Sequence, residues 1–191
     1  MNISIGRWFI LPALAVVCAI AIPRTAQAQH FSDKDTLAPV FPTPETVVDR
    51  MLTLAEVKPG EMVYDLGCGD GRIVIAAAQK FKARAVGIEI RRDVYERTAA
   101  NVASLGLADQ VKIVRGDALK YDLSPADVVT LYLMTSGNER LKPILLKDLK
   151  PSARVVSHDY EIKGWKPAAV TKVMVDHRPH LVYLYRVSDV R

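Results

Sequence analysis

From Met62 onward the chain alternates short apolar runs of strand character with longer runs of helical spacing, and this alternation constrains the fold more than any other feature. Strand spacing recurs at Met62–Leu66, Ala85–Ile90, Val111–Arg115, Asp127–Leu133 and Arg154–Ser157. Helical spacing falls between them at 72–81, 92–105 and 139–149. A helix between two strands carries the chain back to the starting edge, so successive strands lie parallel and helices cover both faces. The tail breaks this rhythm. Val170–Asp176 and Leu181–Val187 are β-rich runs split by His177-Arg178-Pro179-His180, which reads as a closing antiparallel hairpin. The predicted class is α/β: a doubly wound, mostly parallel sheet of about seven strands ending in that hairpin.

Three segments precede or include this body. Residues 1–28 hold Arg7, an uncharged stretch from Trp8 to Ile22, and Ala26-Gln27-Ala28, whose small residues suit cleavage before Gln29. The run is interrupted by Pro12 and falls short of the ~20 residues that span a bilayer comfortably. It is read as an export signal, with a retained membrane anchor as the alternative. Residues 29–42 are rich in Asp, Thr and Pro and form an extended lead-in. The domain proper is expected over 43–191, opening with a helix capped by Thr43 and buried through Val47, Val48, Met51 and Leu52.

Bulk properties exclude several functions. A chain of 191 residues that is 50% hydrophobic and 25% charged has room for one folded domain. Its formal charge is +5, but Arg7 and Arg24 lie in the leader, leaving 24 basic against 21 acidic residues. With no block of like charge, no nucleic-acid partner is predicted. Cys18 lies in the leader, so the body keeps Cys68 alone and has no internal disulfide. His30, His177 and His180 lack tight ligand spacing, and no metal is predicted.

The chemistry concentrates at Val63-Tyr64-Asp65-Leu66-Gly67-Cys68-Gly69-Asp70-Gly71, a strand that runs through glycines into a helix. In open α/β sheets ligands bind outside the carboxyl ends of strands, and glycine lets them approach the backbone. The spacing departs from the dinucleotide pattern, and Asp65 and Asp70 put negative charge where a pyrophosphate would sit. A cationic ligand with an amino-acid end fits better, and S-adenosylmethionine is such a ligand. Glu89, followed by Ile90, ends the next strand one βαβ unit later and can accept both ribose hydroxyls. Asp117 and Ala118 follow the third strand, suited to the adenine amino group and ring.

These residues resemble the first three cofactor motifs of class I S-adenosylmethionine-dependent methyltransferases. The likeness covers the body from Thr43 onward and implies a Rossmann-like fold in which Asp65, Leu66, Gly67, Cys68, Gly69, Glu89, Ile90, Asp117 and Ala118 hold the cofactor. Phe41-Pro42-Thr43-Pro44, Asp70-Gly71-Arg72-Ile73-Val74, Thr130-Leu131-Tyr132-Leu133, Arg154-Val155-Val156-Ser157-His158-Asp159 and Trp165-Lys166-Pro167 are similar to segments of small protein-lysine methyltransferases. The mitochondrial members of that group act on the adenine nucleotide translocase and an ATP synthase subunit. The resemblance implies a protein substrate, with a membrane protein among the candidates, and a monomeric enzyme. Export is at odds with a cofactor made in the cytosol.

Methyl transfer from a sulfonium is an in-line displacement that asks the protein to align donor and acceptor and exclude water. A lysine ammonium has no lone pair and must first lose a proton, for which His158 and Asp159 at the end of the fifth strand are the candidate groups. Tyr132, after the fourth strand, is expected to face the methyl group and wall the acceptor channel. Thr43 and Trp165 are expected beside the substrate. The competing readings are a small-molecule or lipid methyltransferase and an exported, non-catalytic module that keeps the fold.

Overall fold

The computed structural model describes residues 41–191. The leader and nearly all of the lead-in lie outside the described residues.

The elements run α1 (Glu45–Leu54), β1 (Met62–Leu66), α2 (Arg72–Phe81), β2 (Arg84–Glu89), α3 (Arg92–Ser104), β3 (Val111–Arg115), β4 (Val128–Leu131), α4 (Thr135–Asp148), β5 (Arg154–His158), β6 (Ala169–Val175), β7 (Arg178–Arg186) and α5 (Val187–Val190). They build a seven-stranded sheet in the order β3-β2-β1-β4-β5-β7-β6. β1 to β5 pair parallel, while β7 pairs antiparallel with both β5 and β6. The expected class, hairpin included, is the observed one. Strand order reverses between β1, which continues to β2, and β4, which lies on β1's other side; a ligand crevice opens at such a switch point.

Alternation along each strand sorts the core into two layers. Val63, Val128, Val156 and Val182 face α1 and α2, packing with Val47, Met51, Leu52, Val74 and Ala77. Their neighbours Tyr64, Leu66, Val129, Leu131 and Val155 face the other way, onto Leu141 and Leu145 of α4 and Tyr185. Both faces are thus covered, as parallel strands require. Among the described residues no helix is long and apolar enough to cross a membrane.

Four local expectations are corrected. The α1 N-cap position is Pro44, without a side-chain cap; the Thr43 hydroxyl is spent elsewhere, on His158. β4 stops at Leu131, opposite Leu66, the last residue of β1, and Ser157 of β5. α4 begins at Thr135 rather than Glu139. That first turn, Thr135-Ser136-Gly137-Asn138, has no apolar period; it is anchored by Asn138, whose amide donates to the Tyr160 carbonyl at 3.1 Å. Finally, the hairpin turn is tighter than expected. Asp176 and His177 have φ of 47° and 63°, the signature of a two-residue primed turn, so β7 already starts at Arg178. Pro179 is tolerated because it lies where β7 has β6 on one side and has not yet reached β5.

Candidate active site

β1 delivers Asp65 to the switch point, and the turn after it is shaped by backbone contacts. The Gly67 and Cys68 N–H groups both donate to the Ile88 carbonyl of β2, at 2.9 and 3.0 Å. Gly69 and Gly71 take φ of 52° and 79°, a region costly for other residues. At Gly71 an added Cβ would also lie 2.7 Å from the Thr98 side chain of α3. Thr98 in turn donates to the Gly69 carbonyl at 2.7 Å, so α3 holds the turn from behind.

The turn borders a cleft of about 330 Å³, lined among others by Asp65, Gly67, Gly69, Glu89, Thr43 and Tyr132. Asp65 is 3% exposed and Glu89 6%. Glu89 accepts from the Gly69 N–H at 3.0 Å and the Arg91 N–H at 2.9 Å. Asp65 accepts from the Thr130 hydroxyl of β4 at 2.7 Å. Burial pushes the Asp65 carboxyl up to about 7; the Thr130 bond opposes this, and the charges of Glu89 and Asp70 add to it. Neither Asp65 nor Glu89 has a cationic side chain paired with it among the described residues. Two buried carboxylates opening on one cleft favour a cation there.

Asp70 behaves differently. Burial alone would raise it, but hydrogen bonds from Arg72 at 2.5 to 3.2 Å outweigh that and hold the carboxyl below its ordinary range. Arg72 also donates to the Thr43 carbonyl at 2.8 Å, tying the segment before α1 to the glycine turn. The sequence marks Arg72 within the Asp70–Val74 segment of the resemblance and as the start of a helix, but not as this latch.

The remaining cofactor candidates are placed less centrally. Leu66 is a core side chain and does not line the cleft. The Cys68 thiol is buried against Gly87, and burial pushes its pKa up. Ile90, Asp117 and Ala118 do not line the cleft. The Asp117 carboxylate accepts from the Leu119 N–H at 2.9 Å, capping a 3₁₀ turn at Ala118–Lys120.

On the acceptor side, Tyr132 stacks on the His158 imidazole with centroids 4.0 Å apart and an interplanar angle of 29°. His158 is fully buried. Its Nδ1 lies 3.1 Å from the Thr43 hydroxyl, and its Nε2 lies 3.0 Å from His180 Nδ1 and 3.2 Å from Asp159 Oδ2. Both ring nitrogens are therefore engaged by neighbouring side chains, and burial pushes the imidazole pKa down against the pull of Asp159. His158 and Asp159 back the wall that Thr43 and Tyr132 form; they do not line the cleft themselves. His180 joins them unforeseen. Trp165 belongs to neither group. It is 6% exposed in the layer on α4's face of the sheet, edge-on to Tyr185 at 5.7 Å, whereas His158 shares the face of Val156.

Known proteins are similar to this chain in sequence and in fold. The sequence model of the ANTKMT methyltransferase domain matches residues 65–169, from Asp65 to the start of β6. A protein-lysine N-methyltransferase of Saccharolobus islandicus is 49% identical over 152 residues, 79% of this chain and 94% of its own. The adenine nucleotide translocase lysine N-methyltransferase of Mus musculus is 35% identical over 64% of this chain and 53% of its own. The solved structure of a protein named as an RNA methyltransferase of Salinibacter ruber, in complex with S-adenosyl-L-homocysteine, is 46% identical with a TM-score of 0.72, covering 77% of this chain and 94% of that one. The acids and glycines of the β1 turn thus stand in a recognised frame: this chain belongs to the ANTKMT methyltransferase domain family.

Proposed function

We propose that the chain transfers a methyl group from S-adenosylmethionine to the side-chain amine of a protein lysine. The observation that carries the reading is the pair of buried carboxylates, Asp65 and Glu89, facing one cleft without a cationic partner among the described residues. Asp65 suits the ammonium of the cofactor's amino-acid end, Glu89 its ribose hydroxyls, and the turn's backbone its carboxylate. The acceptor reading rests on the relatives named as lysine methyltransferases.

The lysine approaches past Thr43 and Tyr132. Its ammonium loses a proton to water, and the freed nitrogen lone pair attacks the methyl carbon as the carbon–sulfur bond breaks, its electrons remaining on sulfur. Tyr132, fixed by its stack on His158, walls the channel and favours a cationic head at its face. Thr43, tied by Arg72 and His158, holds the neighbouring part of the same lining. His158 and Asp159 act in this reading by positioning those two residues.

Retained as an anchor, the apolar leader holds the body at a membrane, so membrane-bound proteins are the first acceptors to examine, with the enzyme acting as a monomer. Incubation of the purified protein with labelled S-adenosylmethionine and a membrane extract is expected to yield methyl-lysine on hydrolysis. Label recovered in RNA, the acceptor that the name of the Salinibacter ruber protein gives for that protein, overturns the acceptor while keeping the cofactor. Tyr132→Ala is expected to lower kcat/KM about tenfold or more while cofactor affinity stays within twofold.

A further inference from the structure

We propose that His158, Asp159 and His180 form a binding site for one divalent transition-metal ion, with Zn²⁺ the best-matched occupant. His158 Nε2, His180 Nδ1 and Asp159 Oδ2 stand at the corners of a triangle with sides of 3.0, 2.9 and 3.2 Å. Two neutral imidazoles can satisfy the triangle by both donating to Asp159 Oδ2, at the cost of holding their two N–H groups side by side with the nitrogens 3.0 Å apart. With both nitrogens unprotonated, three lone pairs meet at one place. A cation above the triangle answers all three lone pairs at once. At zinc's usual ~2.0–2.1 Å from nitrogen and oxygen it would stand about 1 Å off the plane of the donors.

The surroundings are those of a built site. Consecutive residues of a strand point to opposite faces, yet Asp159 has φ of 58°, and this left-handed backbone swings its carboxylate back beside His158. Each of the first two ligands has an outer partner. The Thr43 hydroxyl stands 3.1 Å from His158 Nδ1, and the Leu181 N–H donates to Asp159 Oδ1 at 2.8 Å. Outer contacts of this kind fix ligand orientation and tautomer in metal centres. Two imidazoles and a carboxylate suit Zn²⁺ and its first-row neighbours, with a further position left for water. Side-chain exposures of 29% for Asp159 and 19% for His180 give an ion access from solvent. Sequence spacing hid the site because antiparallel pairing of β5 with β7 makes it: His158 pairs with Val182, and His180, two residues on, faces the same way. Bound there, the ion would clasp β5 to β7 and stiffen Thr43 and Tyr132.

The test uses the full chain, stripped of metal by a chelator and then freed of the chelator. Zn²⁺ is titrated by calorimetry, and Co²⁺ by its visible absorption. Saturable uptake of one equivalent is expected, with intense cobalt bands displaced by Zn²⁺. Zn²⁺ at about a hundredfold over its dissociation constant should raise the thermal midpoint by about 5–10 °C. His180→Ala should abolish uptake, His177→Ala should leave it unchanged, and Thr43→Val should weaken it about tenfold. No saturable uptake by the wild-type chain, or equal uptake by His180→Ala, overturns the proposal. The wild-type titrations decide even if a variant misfolds. The outcome is independent of the methyl acceptor, since no cofactor or substrate enters the assay.

Discussion

At Gly87 an added Cβ would stand 2.7 Å from the Cys68 sulfur and 2.9 Å from its Cβ, so β2 and the glycine turn touch with no space for a methyl group. Gly87→Ala is therefore expected to cost about 1–3 kcal/mol in urea unfolding and to weaken cofactor binding, because the turn must shift. Asp65 gives a pH signature. Its raised carboxyl lets the folded chain keep a proton that the unfolded chain releases, so this stability is present below the ordinary carboxylate range and is lost as pH rises toward about 7. Cofactor binding runs the opposite way, because the ammonium needs the ionised form. Affinity measured by calorimetry should rise with pH up to about 7 and then level, and Thr130→Val, which removes the carboxylate's hydroxyl donor, should move that rise to higher pH. A flat profile between about pH 5 and 8 would count against an ionising Asp65 at the cofactor's amine.

Between elements, one side chain joins β5 to the end of α1. Arg154, almost fully buried, donates to the Ala55 and Glu56 carbonyls at 2.8 and 3.1 Å and pairs with Glu61 at 2.6 Å. Ala55 and Glu56 follow directly on α1, where the chain leaves the helix and the backbone carbonyls have no helical N–H to accept from, and this guanidinium satisfies both. Arg154→Ala is expected to cost about 2–3 kcal/mol, measured by chemical denaturation, because it leaves buried acceptors unmade. The β6–β7 turn makes the opposite case. His177 carries a side chain at φ of 63°, so His177→Gly should stabilise the fold by about 1 kcal/mol in the same assay. Its periodicity was legible as a hairpin, but its length was not, since Pro179 resembles a turn residue until the one-sided pairing of that part of β7 is seen.

For the molecule as a whole, both core layers share one sheet, so the described body should unfold in a single cooperative step followed by circular dichroism and by tryptophan fluorescence together. Saturating cofactor should raise that single midpoint, and Glu89→Ala should remove most of the rise, because a ligand stabilises only in proportion to its affinity for the folded state. A rise undiminished in Glu89→Ala would place the ribose elsewhere.

The sequence by itself determined the sheet and the strand end at which its cleft opens. Strand and helix periods recur locally, and a strand running through Asp65 into glycines marks a switch point whatever the rest of the fold does. What only the tertiary structure decided is how the far wall is made. Trp165, expected at the substrate, turns into the core because the chain after β5 passes over the α4 face. His158 and Asp159, expected as a proton acceptor pair, meet His180 and Thr43 from elements far apart in the chain. Local propensity carries no record of such meetings: cross-strand register and one left-handed residue, Asp159, bring those donors to one point.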